Sequence, residues 1–147
     1  MIELKEITKN NFDEVTSLEV FPHQKSFVSS VKDSLAQAWL YRDTAFPFAI
    51  YDSEVPVGFV MLGYYEAREQ YTLWKFFIDK KYQNKGYCKM ALRLAVNYLA
   101  DRFDTAEIYT GVLIGNETAK KLYLSFGFTE TGLKENNMIE LKYNRKK

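Results

Sequence analysis

The sequence predicts a mixed α/β fold in a single domain over residues 1–147, with a mixed sheet of about seven strands flanked by about four helices. Three observations carry this. The apolar period switches repeatedly between 2 and 3.6, giving the element order β-α-α-β-β-β-α-β-α-β-β. A length of 147 residues suits one domain and can bury about two thirds of the surface of the unfolded chain without a disulfide or metal staple. The content of 47% hydrophobic and 16% aromatic residues excludes disorder, and 7 Gly with 3 Pro leave no room for a linker.

The elements follow in order. Ile2, Leu4 and Ile7 mark an edge strand. Asn11 is a capping residue for a helix carrying Phe12, Val15, Leu18 and Glu19. Phe27, Val28, Val31, Leu35, Ala38 and Trp39 fall at helical spacing, so a second helix is expected over about 24–40. A strand over 46–51, a turn at Asp52-Ser53-Glu54 and a strand over 57–65 form a hairpin. Residues 71–79 are strongly apolar and rich in strand formers, as in a central strand. After Gly86 the period becomes helical, with Met90, Ala91, Leu94, Ala95, Tyr98 and Leu99 on one face. Ile108, Thr110 and Val112 alternate in the next strand. Asn116 caps a short helix that ends at Gly127, a glycine placed as a C′ residue. Strands over 128–134 and 138–143 close the chain.

Charge and composition exclude several function classes. The net charge of +1 argues against a general binder of nucleic acid, which needs a basic surplus. One Cys and one His are too few for a zinc site of the usual kind, and no metal is expected. No apolar run approaches the roughly 18 residues of a membrane span. The first residues lack the apolar stretch of a secretory signal, and a lone Cys suits a reducing compartment, so a cytoplasmic location is expected. The charge is unevenly spread: residues 1–80 hold 12 acids and 8 bases, and residues 81–147 hold 7 acids and 12 bases, including Arg145, Lys146 and Lys147 at the tail.

The loop Gln83-Asn84-Lys85-Gly86-Tyr87-Cys88 joins a buried strand to a long helix. A helix start carries unpartnered N–H groups and partial positive charge, which favour an anion. Gly86 admits close backbone approach, and Lys85 adds charge. A diphosphate is the expected guest. An ordinary β-α turn with one glycine accounts for the loop equally well when it is taken alone. The dinucleotide and P-loop glycine patterns are absent.

The segment 78–88 resembles motif A of the GNAT superfamily of N-acetyltransferases, with Gln83, Gly86 and Cys88 at the patterned positions. Cys88 departs from the family's Gly or Ala there. Residues 116–128 match the family's N-x-x-A-x-x-x-Y-x-x-x-G-F signature at Asn116, Ala119, Tyr123, Gly127 and Phe128. The resemblance implies a sheet that splays between the strands at 71–78 and 106–112, with acetyl-CoA in the gap. It further implies that backbone groups of Phe76, Phe77 and Ile78 pair with the pantetheine arm. The amides of 83–88 would take the diphosphate, and Asn116 would bond the pantetheine side. Ile78 or Phe77 would supply an N–H to the developing oxyanion. Tyr123 is implied as the acid that protonates the leaving thiolate. Cys88, at a helix start, is either a reactive thiol or a small filler.

The first helices and the strands before motif A are similar to those of bacterial diamine and polyamine N-acetyltransferases, in 24–30, 34–38, 57–61 and 77–83. The resemblance implies acetyl transfer by direct attack of a primary amine, with spermidine, spermine or a diamine as acceptor, and a homodimer. Glu19, Asp43, Glu66 and Glu69 are candidate partners for the acceptor's charges, with Tyr41, Tyr64, Tyr65 and Trp74 as aromatic faces. Glu66, Glu69 and Asp79 are candidate bases, and His23 is the only histidine. On this reading the acidic half builds the acceptor pocket and the basic half holds the CoA phosphates. A peptide, protein or antibiotic amine as acceptor, and a non-catalytic CoA-binding sensor, are the alternatives.

Overall fold

The structure, a computed structural model, describes residues 1–145; Lys146 and Lys147 of the basic tail lie outside them. Seven strands form one sheet: β1 (Ile2–Lys5), β2 (Ala45–Asp52), β3 (Val55–Tyr65), β4 (Gln70–Ile78), β5 (Glu107–Leu113), β6 (Thr129–Glu135) and β7 (Met138–Asn144). Their order is β1-β2-β3-β4-β5-β7-β6. Among the described residues four α-helices, α1 (Phe12–Thr16), α2 (Val31–Leu40), α3 (Tyr87–Phe103) and α4 (Glu117–Phe126), flank the sheet. The mixed α/β architecture expected from the sequence is the one observed.

β3 is buried on both faces, and its alternation divides the core. Val60 and Leu62 pack with Ala91, Leu92, Ala95 and Leu99 of α3. Phe59 and Met61 face the other way, onto Val15 of α1 and Val31 and Ala38 of α2. Each such aliphatic or aromatic side chain, fully buried, contributes about 1.5–3 kcal/mol. Two cores thus clamp the sheet from opposite sides, α3 and α4 on one and α1 and α2 on the other.

Two expected helices are shorter than their apolar spacing suggests. α2 begins at Val31, not near 24. Ser30 caps it, its Oγ accepting the Asp33 N–H at 3.0 Å, while Pro22–Gln24 makes a separate 3-10 turn. The stretch between is apolar at helical intervals, yet a proline start and a serine cap break it in two. Asn11 precedes α1, but its side chain does not cap the helix. Its Oδ1 accepts the Thr8 N–H at 2.8 Å, and its Nδ2 donates to the Glu6 carbonyl and the Tyr51 hydroxyl. α1 ends at Thr16, leaving Leu18 and Glu19 beyond it. At the tail, the Arg145 guanidinium pairs with Asp101 at 2.5 Å.

The sheet opens at one seam. β4 and β5 run parallel and pair over only three positions, Tyr71 with Ile108, Thr72 with Tyr109 and Leu73 with Thr110. Beyond Leu73, β4 continues to Ile78 with β3 as its only strand neighbour among the described residues. A register shift opposite Met61 and Leu62 leaves Trp74 as an extra residue in β4, a bulge at the point where the strands part.

Candidate functional site

The unpaired edge of β4 forms one wall of the site, and register shows which groups it exposes. The Asp79 N–H donates to the Val57 carbonyl at 2.8 Å. In an antiparallel pair, hydrogen-bonded and non-hydrogen-bonded positions alternate. Phe77 opposite Phe59 is therefore also a bonded position, its N–H and C=O turned toward β3. Phe76 and Ile78 occupy the alternate positions, with backbone groups turned into the gap. This corrects the expectation for Phe77, whose backbone is committed to β3 and whose side chain is core. The Ile78 carbonyl receives the Gln83 Nε2 at 3.0 Å, so its N–H is the group left facing the gap.

The loop after β4 is held from behind. Gln83 and Gln24 exchange side-chain amide bonds at 2.9 and 3.2 Å. Gln83 is thus a brace between the loop, β4 and the 3-10 turn at 22–24. Asn84 and Gly86 both have positive φ, 61° and 85°. Asn84, Lys85 and Gly86 are exposed, and nothing lies within 4 Å of where a Gly86 side chain would start. The path to the first amides of α3 is therefore open. Lys81, Lys85 and Lys89 flank that path in the chain. The Tyr87 side chain points elsewhere: its hydroxyl donates to Asp52 at 2.7 Å and pins the start of α3 to the β2–β3 turn. That bond raises the Tyr87 phenol and lowers the Asp52 carboxyl.

Cys88 is half-buried against the α3-side core. Burial pushes its thiol up, the reverse of a thiol activated by a helix start. It fills space.

α4 supplies the remaining residues. The Asn116 Oδ1 accepts the Ala119 N–H at 3.4 Å and caps the helix, which leaves its amide donors for another partner. Tyr123 is buried beside Phe128, edge to face at 5.4 Å. Burial holds its phenol well above the ordinary tyrosine value, a hydrogen bond with Thr110 opposes this in part, and nearby Cys88 adds to it. Thr110 in turn donates to the Leu73 carbonyl at 2.9 Å. Tyr123 therefore sits on the α3/α4 face, at the seam between β4 and β5.

The opposite face holds a cavity of about 670 Å³ bounded by α2, the β3–β4 connection, β5 and the β6–β7 hairpin. Its aromatic walls include Tyr41, Tyr64, Tyr65, Trp74 and Tyr109, and its carboxylates are Glu66, Glu135 and Glu140. Leu73 and Thr110 line it as well, so it reaches the seam below which Tyr123 lies. Of the residues expected at the acceptor, Trp74 and Glu66 line this cavity. Glu19 and Glu69 do not line the cavity: Glu19 pairs with Lys80 at 2.9 Å and Lys25 at 3.9 Å. Those pairs hold the Glu19 carboxyl below its usual range. Asp79 is 2% exposed and spent on structure, accepting the Glu19 and Lys81 N–H groups. His23 stacks on Phe21, outside the cavity. Sequence reasoning missed Thr110, Arg68, Glu135 and Glu140. The last two come from the basic half of the chain, so this cavity is not built by the acidic half alone.

Comparison with known proteins accords with this geometry. The sequence model of the Acetyltransferase (GNAT) family matches residues 11–128. The chain is 32% identical to the spermine/spermidine N(1)-acetyltransferase of Bacillus subtilis (strain 168), over 89% of this chain and 90% of that protein. The spermidine N-acetyltransferase of Vibrio cholerae, solved in complex with CoA and spermine, has a TM-score of 0.73 over 96% of this chain and 92% of its own, at 17% identity. A dodecameric structure of the Vibrio cholerae enzyme gives 0.72 over 98% and 94%, at 16% identity. These two likenesses speak to the fold. GNAT enzymes draw their acetyl group from acetyl-CoA, and an open strand edge beside an accessible helix start fits such a donor. The chain belongs to the GNAT family of acetyltransferases.

Proposed function

We propose that this protein acetylates a primary amine of spermidine, spermine or a related polyamine, by direct attack of the amine on the thioester of acetyl-CoA. One observation carries the reading: an acidic, aromatic-walled cavity on one face of the sheet meets the open β4 edge at Leu73 and Thr110. The similarity to the Bacillus subtilis enzyme supports the same acceptor class.

Each residue then has a task. The gap-facing backbone of Phe76 and the N–H of Ile78 receive the pantetheine arm and the thioester oxygen, where fixed donors stabilise developing negative charge. The first amides of α3, reached past Gly86, with Asn84 and Lys85 at their approach, take the diphosphate. The free amide donors of Asn116 hold the arm from the α4 side. Tyr123, kept protonated by burial, gives its proton to the thiolate as the sulfur leaves. An alkyl amine with a pKa of ~10 is protonated at neutral pH, so the attacking nitrogen sheds one proton first, through the cavity mouth; the second, lost as the amide forms, restores the proton that Tyr123 gave to the thiolate. Carboxylates and aromatic faces hold the acceptor's remaining ammonium groups. Self-association is part of the proposal, supported by the dodecameric Vibrio enzyme.

The test is thiol release from acetyl-CoA against spermine, spermidine, putrescine, propylamine and a lysine peptide. The proposal expects kcat/KM to be highest for the triamine and tetraamine. Binding of CoA with no turnover on any polyamine overturns it.

A further inference from the structure

Arg68 is the only cation among the described residues lining the cavity. It stands at the end of the 3-10 turn Glu66–Arg68 and reaches across to the β6–β7 hairpin. Its Nη1 donates to Glu140 at 3.2 Å and its Nη2 to Glu135. Glu140 is fixed from a second side by the Thr131 hydroxyl at 2.8 Å. In register Glu140 lies opposite Gly111, one step from the Thr110–Leu73 rung where the sheet opens. A side-chain carboxylate pair thus flanks the route to the reacting centre, with a guanidinium already between its members.

These pairs are partly wet. The Arg68 side chain is 29% exposed, Glu135 53% and Glu140 17%. Ion pairs this exposed are weak and exchange readily with other cations. On the α2 wall of the same cavity, Gln37 carries a buried side-chain oxygen with no hydrogen-bond partner among the described residues. Buried acceptors of this kind are rarely left unpaired.

We propose that Glu135 and Glu140 form the subsite for a second ammonium of the acceptor, and that Arg68 is its resident placeholder, displaced when the polyamine binds. This rests on the polyamine reading above. Arg68 neutralises the pair in the empty enzyme and competes with substrate, so it sets acceptor affinity, while the carboxylates favour multiply charged amines over a monoamine.

The test is calorimetric binding of spermine to the CoA-loaded protein, with kcat/KM for spermine and propylamine, in wild type, Arg68→Gln and Glu140→Gln, each checked by thermal melting. Arg68→Gln is expected to tighten spermine roughly three- to tenfold, the range of one or two half-exposed pairs, and to raise the spermine-to-propylamine ratio of kcat/KM. Glu140→Gln is expected to lower that ratio. Unchanged or weaker spermine binding in a folded Arg68→Gln protein overturns the proposal. If Arg68→Gln does not fold, an unchanged ratio in Glu140→Gln does the same. Wild-type turnover of spermine without the Arg68→Gln gain sinks this inference alone; no polyamine turnover at all sinks the functional reading with it.

Discussion

The Thr110 hydroxyl donates to the Leu73 carbonyl at 2.9 Å, across the last register pair before β4 and β5 part. Thr110 also meets Tyr123 on the α3/α4 face and lines the cavity on the other. This rung pins the seam where the two halves of the site meet. Thr110→Val keeps the shape and removes the donor. We expect a loss of about 1–3 kcal/mol in denaturant unfolding, the range for a buried group left unpaired, together with a lower kcat. Thr110→Ser should recover both. A valine variant as stable and active as wild type contradicts this role.

Tyr123→Phe retains the ring against Phe128 and deletes the hydroxyl. The expected result is a fall in kcat of about 10²-fold or more, with acetyl-CoA affinity by calorimetry within about twofold of wild type. Because burial raises the folded pKa above the unfolded value of about 10, the neutral phenol adds stability that is complete below about pH 10 and fades as pH climbs through the folded value. The kcat profile should therefore show no alkaline fall from Tyr123 below about pH 10. Such a fall, absent in the phenylalanine variant, contradicts the assignment.

Gly86→Ala places a side chain at φ 85° in open space. The fold should lose only the conformational cost of a left-handed residue, about 1–2 kcal/mol. Acetyl-CoA binding should weaken about tenfold, ~1.4 kcal/mol, because the added carbon obstructs approach to the α3 amides. An unaltered dissociation constant removes the loop from the diphosphate site.

Gly58→Ala acts at a distance from the ligand. A β-carbon there lies 2.5 Å from the Phe77 carbonyl and 2.9 Å from the Ile78 Cδ1. The backbone of β4 must move, at about 1–3 kcal/mol of overpacking strain. Melting temperature and acetyl-CoA affinity should fall together. Loss of stability with full affinity shows that the β4 edge is not the arm's partner.

Cys88 should react slowly. Its raised thiol leaves little thiolate at pH 7–8, so labelling by a thiol-reactive dye is expected to be slower than for free cysteine and to speed up as pH rises. Faster labelling than free cysteine contradicts the filler role.

The sequence showed part of this clearly. Asn116, Tyr123 and Gly127 are fixed by local helix geometry, and all three stand where their spacing put them. The switch to helical period after Gly86 located α3 for the same reason. What failed depended on long-range register. Phe77 points its backbone at β3 because of pairings with Phe59 and the Trp74 bulge, which no local pattern reports. Glu135 and Glu140 reach the cavity because β7 inserts between β5 and β6, and Arg68 meets Glu140 across 72 residues. The expected helix over 24–40 failed because apolar spacing continues through Ser29 and Ser30, while the Ser30 cap decides where α2 starts.

The most direct measurement is a single turnover of enzyme, acetyl-CoA and spermine, with the amine product and the intact protein mass followed together. Direct attack across the seam predicts one acetylated polyamine per active site and a protein whose mass never changes. An acetylated enzyme that forms and decays as fast as product appears, or the absence of any acetylated polyamine, contradicts the account.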